Sequence, residues 1–321
     1  MDFKKIVIIG GGILGTQIAY QTAYCGYDVT ILVRKDNDQT KLRGNLRKLK
    51  ENYLGLIENM NKKHPETWIR GIAEIDNFDK DECAKNATRA YENINICDDY
   101  EKAFEDVDLV IESITENLDA KNELYNAISE YLPKKTIIVS NSSTLLPSKM
   151  ANATKRPEQF LALHFANNIW KNNIAEIMSH DKTSEESFNA VVEFAKSIRM
   201  IPLPAFEEKS GYILNSMLVP FLLSAMDLLA NGVSDPETID KAWTLGTGAP
   251  KGPFQIIDTV GLETARNIIL QYQKVPNIFD PLLKKMMLPY NFDGMLRILD
   301  QYIAEGKMGV STGEGFYKYE D

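Results

Sequence analysis

Eight short apolar runs recur along the first two thirds of the chain: KIVII at 5–9, DVTILV at 28–33, NINIC at 93–97, DLVIESI at 108–114, TIIVS at 136–140, FLALHF at 160–165, NIAEIM at 173–178 and MIPLP at 200–204. Their length and β-branched content predict buried strands. Helical patterns separate most of them, at 16–25, 98–106, 117–131 and 184–198, the last opened by Ser184 as an N-cap with Glu185 and Glu186 in the first turn. Strand and helix in alternation predict an α/β fold with a parallel, doubly wound sheet. Between the second and third runs the chain is polar, and residues 38–90 are expected to form a helical hairpin in which Leu42, Leu46 and Leu49 share one face. Beyond Gly211 the strand pattern stops. The stretch 211–232 is apolar nearly all round and predicts a helix buried against other helices or a second subunit, a second begins at Ser234, Asp235 and Pro236, and a third follows GTGAPKGPF near Ile256. Pro202, Pro204 and the polar EEKSG mark a hinge, so the expected domains are 1–204 and an all-α domain at 205–321.

Composition narrows the partners. A formal charge of -9 argues against nucleic acid as a ligand. Cys25, Cys83 and Cys97 are odd in number and lack a CxxC spacing, which suits a reducing compartment and implies no metal site. No apolar signal region precedes the first strand, and the longest apolar run is interrupted by Asn215, Pro220 and Asp227. A cytoplasmic protein without a membrane span is expected.

The first strand runs directly into Gly10, Gly11, Gly12, Ile13, Leu14 and Gly15 and then a helix, the GxGxxG context of a Rossmann-like dinucleotide site. Glycines admit the pyrophosphate backbone, and the helix N-terminus offers it free N–H groups. At the end of the second strand, where an acidic residue ordinarily binds the ribose hydroxyls, stand Val33 and Arg34. A guanidinium pairs with a 2'-phosphate, so this favours NADP(H) over NAD(H); the other reading gives the acidic role to Asp36 or Asp38. Seven Lys or Arg lie between residues 34 and 50, and Arg43, Arg47 and Lys50 form either a phosphate-binding face or a solvated one. Glu116, Lys121 and Asn141 fall near the carboxyl edges of their strands, where such sheets bind ligands, although Lys121 alone reads as helix surface charge. His164, one of three histidines, closes FLALHF, and Glu176 sits inside the apolar NIAEIM. A carboxylate in an apolar strand needs a partner, and imidazole paired to one becomes an oriented general base. Ser143, just past TIIVS, is placed to hold a substrate oxygen, and Asn215 opens the first helix of the second domain. The plainer reading makes these a core histidine, its ion-pair partner and a loop cap.

Taken together, GGGILG, ESITENLDAKNELY, SNSSTL, LALHF, GYILNSMLVPFL, APKGPFQIIDTVGL and STGEGFYKY strongly resemble the L-3-hydroxyacyl-CoA dehydrogenase family, including bacterial 3-hydroxybutyryl-CoA dehydrogenases, over essentially the whole chain. The resemblance implies a Rossmann-like domain with the hairpin inserted after its second strand, and a helical domain that forms a homodimer. It implies that Ser143, His164, Glu176 and Asn215 are catalytic, that Glu116 and Lys121 meet the NAD(P) cofactor, and that the region of Arg43 to Lys50 holds coenzyme A. The implied reaction passes hydride between the nicotinamide and C3 of a short-chain L-3-hydroxyacyl-CoA, a step of fatty acid metabolism. Three departures stand out: Val33 in place of the acidic residue, Lys251 where methionine is common, and FANNIWKN where an Asn-Pro pair is usual. Asn168, Ile169 and Trp170 are thereby expected to reshape the acyl end of the pocket. The scaffold also serves dehydrogenases of free hydroxy acids such as gulonate and carnitine, which is the alternative function; a dinucleotide-binding scaffold without turnover is a third.

Overall fold

Strands β1 (Lys5–Ile9), β2 (Asp28–Leu32), β3 (Asn95–Cys97), β4 (Leu109–Glu112), β5 (Ile137–Ser140), β6 (Phe160–Phe165), β7 (Ile174–Met178) and β8 (Ile201–Ala205) form one sheet in the order β3-β2-β1-β4-β5-β6-β7-β8. The computed structural model describes residues 3–35, 38–273 and 290–319, so Asp36 lies outside the described residues. β1 to β6 are parallel, as the alternation of strand and helix predicts. The last two strands correct that expectation: β7 is antiparallel to β6, and β8 runs with β7. Residues 166–173 are too short a link for a crossover, which takes about a dozen residues or more, so the chain turns back beside β6.

Helices α1 (Ile13–Tyr24), α4 (Tyr100–Phe104), α5 (Leu118–Ile128) and α6 (Glu185–Ser197) cover the sheet, and α2 (Gln39–Asn59) with α3 (Lys80–Asn93) makes the hairpin. Asp38 caps α2 by accepting from the amides of Thr40 and Lys41, and Ser184 caps α6 through the Ser187 amide. A buried polar junction fixes the hairpin to α1. The Tyr53 hydroxyl donates to Gln21 Oε1 at 2.5 Å, and Gln21 Nε2 donates to the carbonyls of Gly71 and Ile198 at 2.8 and 3.0 Å. Ile169 and Trp170 are buried in this core. Trp170 packs edge-on to Tyr53, and its carbonyl accepts from Gly71 N; a Cβ on Gly71 would lie 2.5 Å from that oxygen.

The chain divides into two compact units after Ile213, nine residues beyond the boundary expected at 204. The shift has a physical cause, since Tyr212 is buried against Ala162 and Met178 of the sheet. The second unit contains α7 (Leu214–Ala230), α8 (Pro236–Thr247), α9 (Pro253–Val260), α10 (Leu262–Gln273) and α11 (Phe292–Ala304). Its core includes Leu223, Met226, Phe254, Ile257, Ile269, Met295 and Leu299. Within the single chain Met217 and Leu228 of α7 are exposed. The glycine-rich tail is anchored by two buried aspartates. Asp258 accepts from the amides of Phe316 and Tyr317 and from the Tyr319 hydroxyl, each at 2.9 Å, while Asp240 accepts from the amides of Phe254 and Gln255 and from the Tyr317 hydroxyl. A Cβ at Gly315 would meet Asp258 Oδ1 at 2.2 Å, which is why that position has no side chain.

Candidate active site

The reversal between β6 and β7 builds the site. Antiparallel register sets His164 directly opposite Glu176, so that both side chains leave the same face of the sheet. His164 Nδ1 lies 2.9 Å from Glu176 Oε2, and the amide of Ile213 donates to Glu176 Oε1 at 2.9 Å. Both side chains are buried, at 7% and 1% exposure. With a carboxylate at Nδ1 the ring proton resides there, leaving Nε2 as the acceptor. Ser143 Oγ is 3.2 Å from Nε2, brought there by the loop that follows β5, the parallel neighbour of β6. Tyr212, which sequence reasoning did not single out, stacks on the imidazole with ring centroids 4.8 Å apart and planes 17° from parallel. Asn215 lies in the first turn of α7, in the second unit.

On the same carboxyl edge of the sheet, after β1, the glycine loop has the shape that a dinucleotide requires. Gly10 has φ of 113°, and a Cβ there would meet the Ser113 carbonyl oxygen at 2.4 Å; one on Gly15 would meet the Gly10 oxygen at 2.3 Å. These two glycines close the turn against β4 and α1. A Cβ on Gly12 would have no neighbour within 4 Å, so the loop is open where α1 begins, and Ile13 is exposed beside it. An open glycine at a helix N-terminus fits a pyrophosphate, which Gly12 and the first amides of α1 would hold. Val33 is buried, its Cγ1 3.4 Å from a Cβ position on Gly11, and presents no acceptor to a ribose; Arg34 beside it is exposed. Asp38, the acidic alternative, has one carboxylate oxygen engaged as the α2 cap.

Glu116 Oε1 accepts from Ser142 Oγ at 2.6 Å and from the Thr144 amide and hydroxyl, each at 2.7 Å. Burial opposes its charged form, but these bonds and the nearby Lys121 ammonium outweigh that and hold the carboxyl below its usual range. Lys121 is not helix surface charge. Its side chain is 1% exposed, with Nζ 2.5 Å from Glu112 Oε1 and 3.8 Å from Glu116 Oε2. Glu112, which sequence reasoning missed, also accepts from the Ile114 amide, Tyr125 and Ser140, each at 2.7 Å. The signal was present, because a carboxylate inside the apolar run DLVIESI raises the same question as Glu176 does in NIAEIM. Asn141 Oδ1 accepts from the Phe165 amide at 3.0 Å and ties the end of β5 to β6.

The basic face of α2 is partly engaged within the hairpin. Arg43 Nη1 donates to the Tyr91 carbonyl at 3.4 Å, and Lys50 Nζ lies 4.8 Å over the Tyr91 ring, whereas Arg47 is 64% exposed beside Glu51. Among the described residues no group of three or more His, Cys, Asp or Glu is arranged to hold a metal ion, and no helix is long and apolar enough to cross a membrane.

A glycine-loop nucleotide fold with a carboxylate-paired histidine at its strand edge is the arrangement of a dehydrogenase. The family described as 3-hydroxyacyl-CoA dehydrogenase matches twice, its NAD binding domain over residues 5–208 and its C-terminal domain over 211–319, and the chain belongs to this family. It is 32% identical to the human mitochondrial hydroxyacyl-coenzyme A dehydrogenase over 317 residues, covering 99% of this chain and 91% of that protein. To the 3-hydroxybutyryl-CoA dehydrogenase of Clostridioides difficile it is 28% identical, over 98% and 99% of the two chains. A solved diketoreductase, described for its substrate-directed dual catalysis of dicarbonyl compounds, is 41% identical with a TM-score of 0.79, over 99% of this chain and all of that one. The protein is therefore an oxidoreductase of the 3-hydroxyacyl-CoA dehydrogenase type with a nicotinamide cofactor.

Proposed function

We propose that the chain interconverts a short-chain L-3-hydroxyacyl-CoA and its 3-ketoacyl-CoA, with His164 as the acid–base group. The hydrogen-bonded series Ser143, His164, Glu176 is the observation that carries this reading. In oxidation His164 Nε2 takes the proton of the 3-hydroxyl, and Glu176 stabilises the imidazolium that forms. Ser143 and Asn215 orient the reacting oxygen. A nicotinamide cofactor bound at the glycine loop would supply the acceptor for the hydride leaving C3. In reduction the imidazolium returns the proton to the carbonyl oxygen. Gly10, Gly12, Ile13, Leu14, Gly15, Glu116, Lys121 and Asn141 would line the cofactor, and Val33 with Arg34 favours the 2'-phosphate of NADP(H). Exposed Met217 and Leu228 on α7 and Leu245 on α8 support a homodimer formed through the helical domain. The three free cysteines suit a cytoplasmic setting.

A second reading, reduction of a dicarbonyl compound that carries no coenzyme A, is favoured by the 41% identity to the diketoreductase and by the engagement of Arg43 and Lys50 with Tyr91. Following nicotinamide absorbance with acetoacetyl-CoA and with pentane-2,4-dione, each with NADPH and NADH, decides between them. The first reading expects kcat/KM to be far higher for acetoacetyl-CoA. Turnover confined to the dione would overturn it in favour of the second.

A further inference from the structure

Gly211, Tyr212 and Ile213 form the turn that ends the first unit, and these three consecutive residues touch the three members of the hydrogen-bonded series Ser143, His164, Glu176. The Gly211 amide donates to the Ser143 carbonyl at 3.2 Å, the Tyr212 ring stacks on His164, and the Ile213 amide donates to Glu176. The turn is left-handed at both Gly211 and Tyr212, with φ of 82° and 51°. Glycine adopts that region freely, but a tyrosine does so only where its surroundings over-determine it. Here they do: the Tyr212 amide donates to the Lys209 carbonyl, its hydroxyl donates to the Ser142 carbonyl at 2.9 Å, and the side chain is 2% exposed.

The stacking has a geometric consequence. Hydrogen bonds at Nδ1 and Nε2 hold the two nitrogens within the ring plane but oppose only weakly a swing of the ring out of that plane through its Cα–Cβ and Cβ–Cγ torsions. A flat ring against one face blocks that swing, and the hydroxyl bond to Ser142 keeps the flat ring itself from sliding. We propose that Tyr212 is a positioning residue for the acid–base histidine, acting through the plane of the His164 ring. The proposal rests on the reading of His164 given above.

The test replaces Tyr212 in the full chain with Phe, which keeps the ring, and with Leu or Met, which keep bulk without a flat face. It is run with whichever of acetoacetyl-CoA and pentane-2,4-dione the wild type turns over. Leu and Met are expected to lower kcat on the order of 10- to 100-fold, with the KM for substrate and the Kd for nucleotide unchanged. Phe is expected to stay within about threefold of wild type, since it loses one hydrogen bond of modest net worth. In a His164→Ala background, Tyr212→Leu should lower kcat no further. Wild-type kcat in both Leu and Met variants, or losses that multiply with His164→Ala, would overturn the role of Tyr212 while leaving His164 in place. Wild-type turnover by His164→Ala alone would remove the reading on which it rests, and the proposal with it.

Discussion

Glu176 is accommodated inside a strand because both of its oxygens have partners, His164 Nδ1 on one and the Ile213 amide on the other. A glutamine there keeps the volume and removes the charge that steadies the imidazolium. Glu176→Gln is expected to lower kcat by about 10²- to 10⁴-fold, with the protein still folded; an unchanged kcat in steady-state assays would exclude Glu176 from the chemistry. Glu112 is the structural counterpart. It receives Lys121, Tyr125, Ser140 and a backbone amide at a site with no exposure, so Glu112→Leu would leave the buried Lys121 ammonium with only the more distant Glu116 carboxylate. Urea unfolding should show a loss of about 3 kcal/mol. Glu116 gives a pH signature. Its folded pKa is depressed, so the stability it contributes is present above its unfolded value and lost as pH falls through the folded one. Melting temperatures between pH 7 and pH 3 should therefore fall less steeply below about pH 4.3, the ordinary glutamate value, in Glu116→Gln than in the wild type. Equal slopes would show that the bonds from Ser142 and Thr144 do not favour the charged form.

At the scale of elements, what could be read from the sequence was what is local. The glycine loop declares itself because the residues that close it, Gly10 and Gly15, are its near neighbours along the chain, and the alternation of strand and helix follows from periodicity. The reversal of β7 was not legible, since a pairing direction belongs to two strands and to the link between them. Nor was the burial of Lys121, whose partner Glu112 lies on a different element, or the engagement of Arg43 and Lys50, which depends on Tyr91 of α3. His164 and Glu176 could be named as partners from their chemistry, but their facing register comes only with the antiparallel pair. The end of β2 supports a prediction of its own. Val33 offers no acceptor to a ribose, and Arg34 follows it at the exposed edge. Installing Val33→Asp with Arg34→Ala places a carboxylate where a 2'-phosphate is expected. The ratio of kcat/KM for NADPH over NADH should fall by about 10- to 100-fold, equivalent to losing one charge-assisted pair. A ratio unmoved by the double substitution would mean that this corner does not read the phosphate.

For the whole molecule, the division after Ile213 implies two cooperative parts, each with its own apolar core. The second unit depends on Asp258, which holds the tail by accepting from two backbone amides and the Tyr319 hydroxyl. An asparagine there retains one acceptor oxygen and turns an NH₂ group toward a backbone N–H. The tyrosine hydroxyl can rotate to accept, but an amide cannot, so one buried donor loses its partner at a cost of about 1–3 kcal/mol. In a unit of this size that corresponds to a Tm lowered by roughly 4–8 °C per kcal/mol. Calorimetry of Asp258→Asn should show the decrease in one transition only. Added dinucleotide should raise the other, because a ligand of the first unit stabilises the part that binds it. If Asp258→Asn and the dinucleotide move the same single transition, the two units unfold together and the tail's anchor bears on the stability of the entire chain.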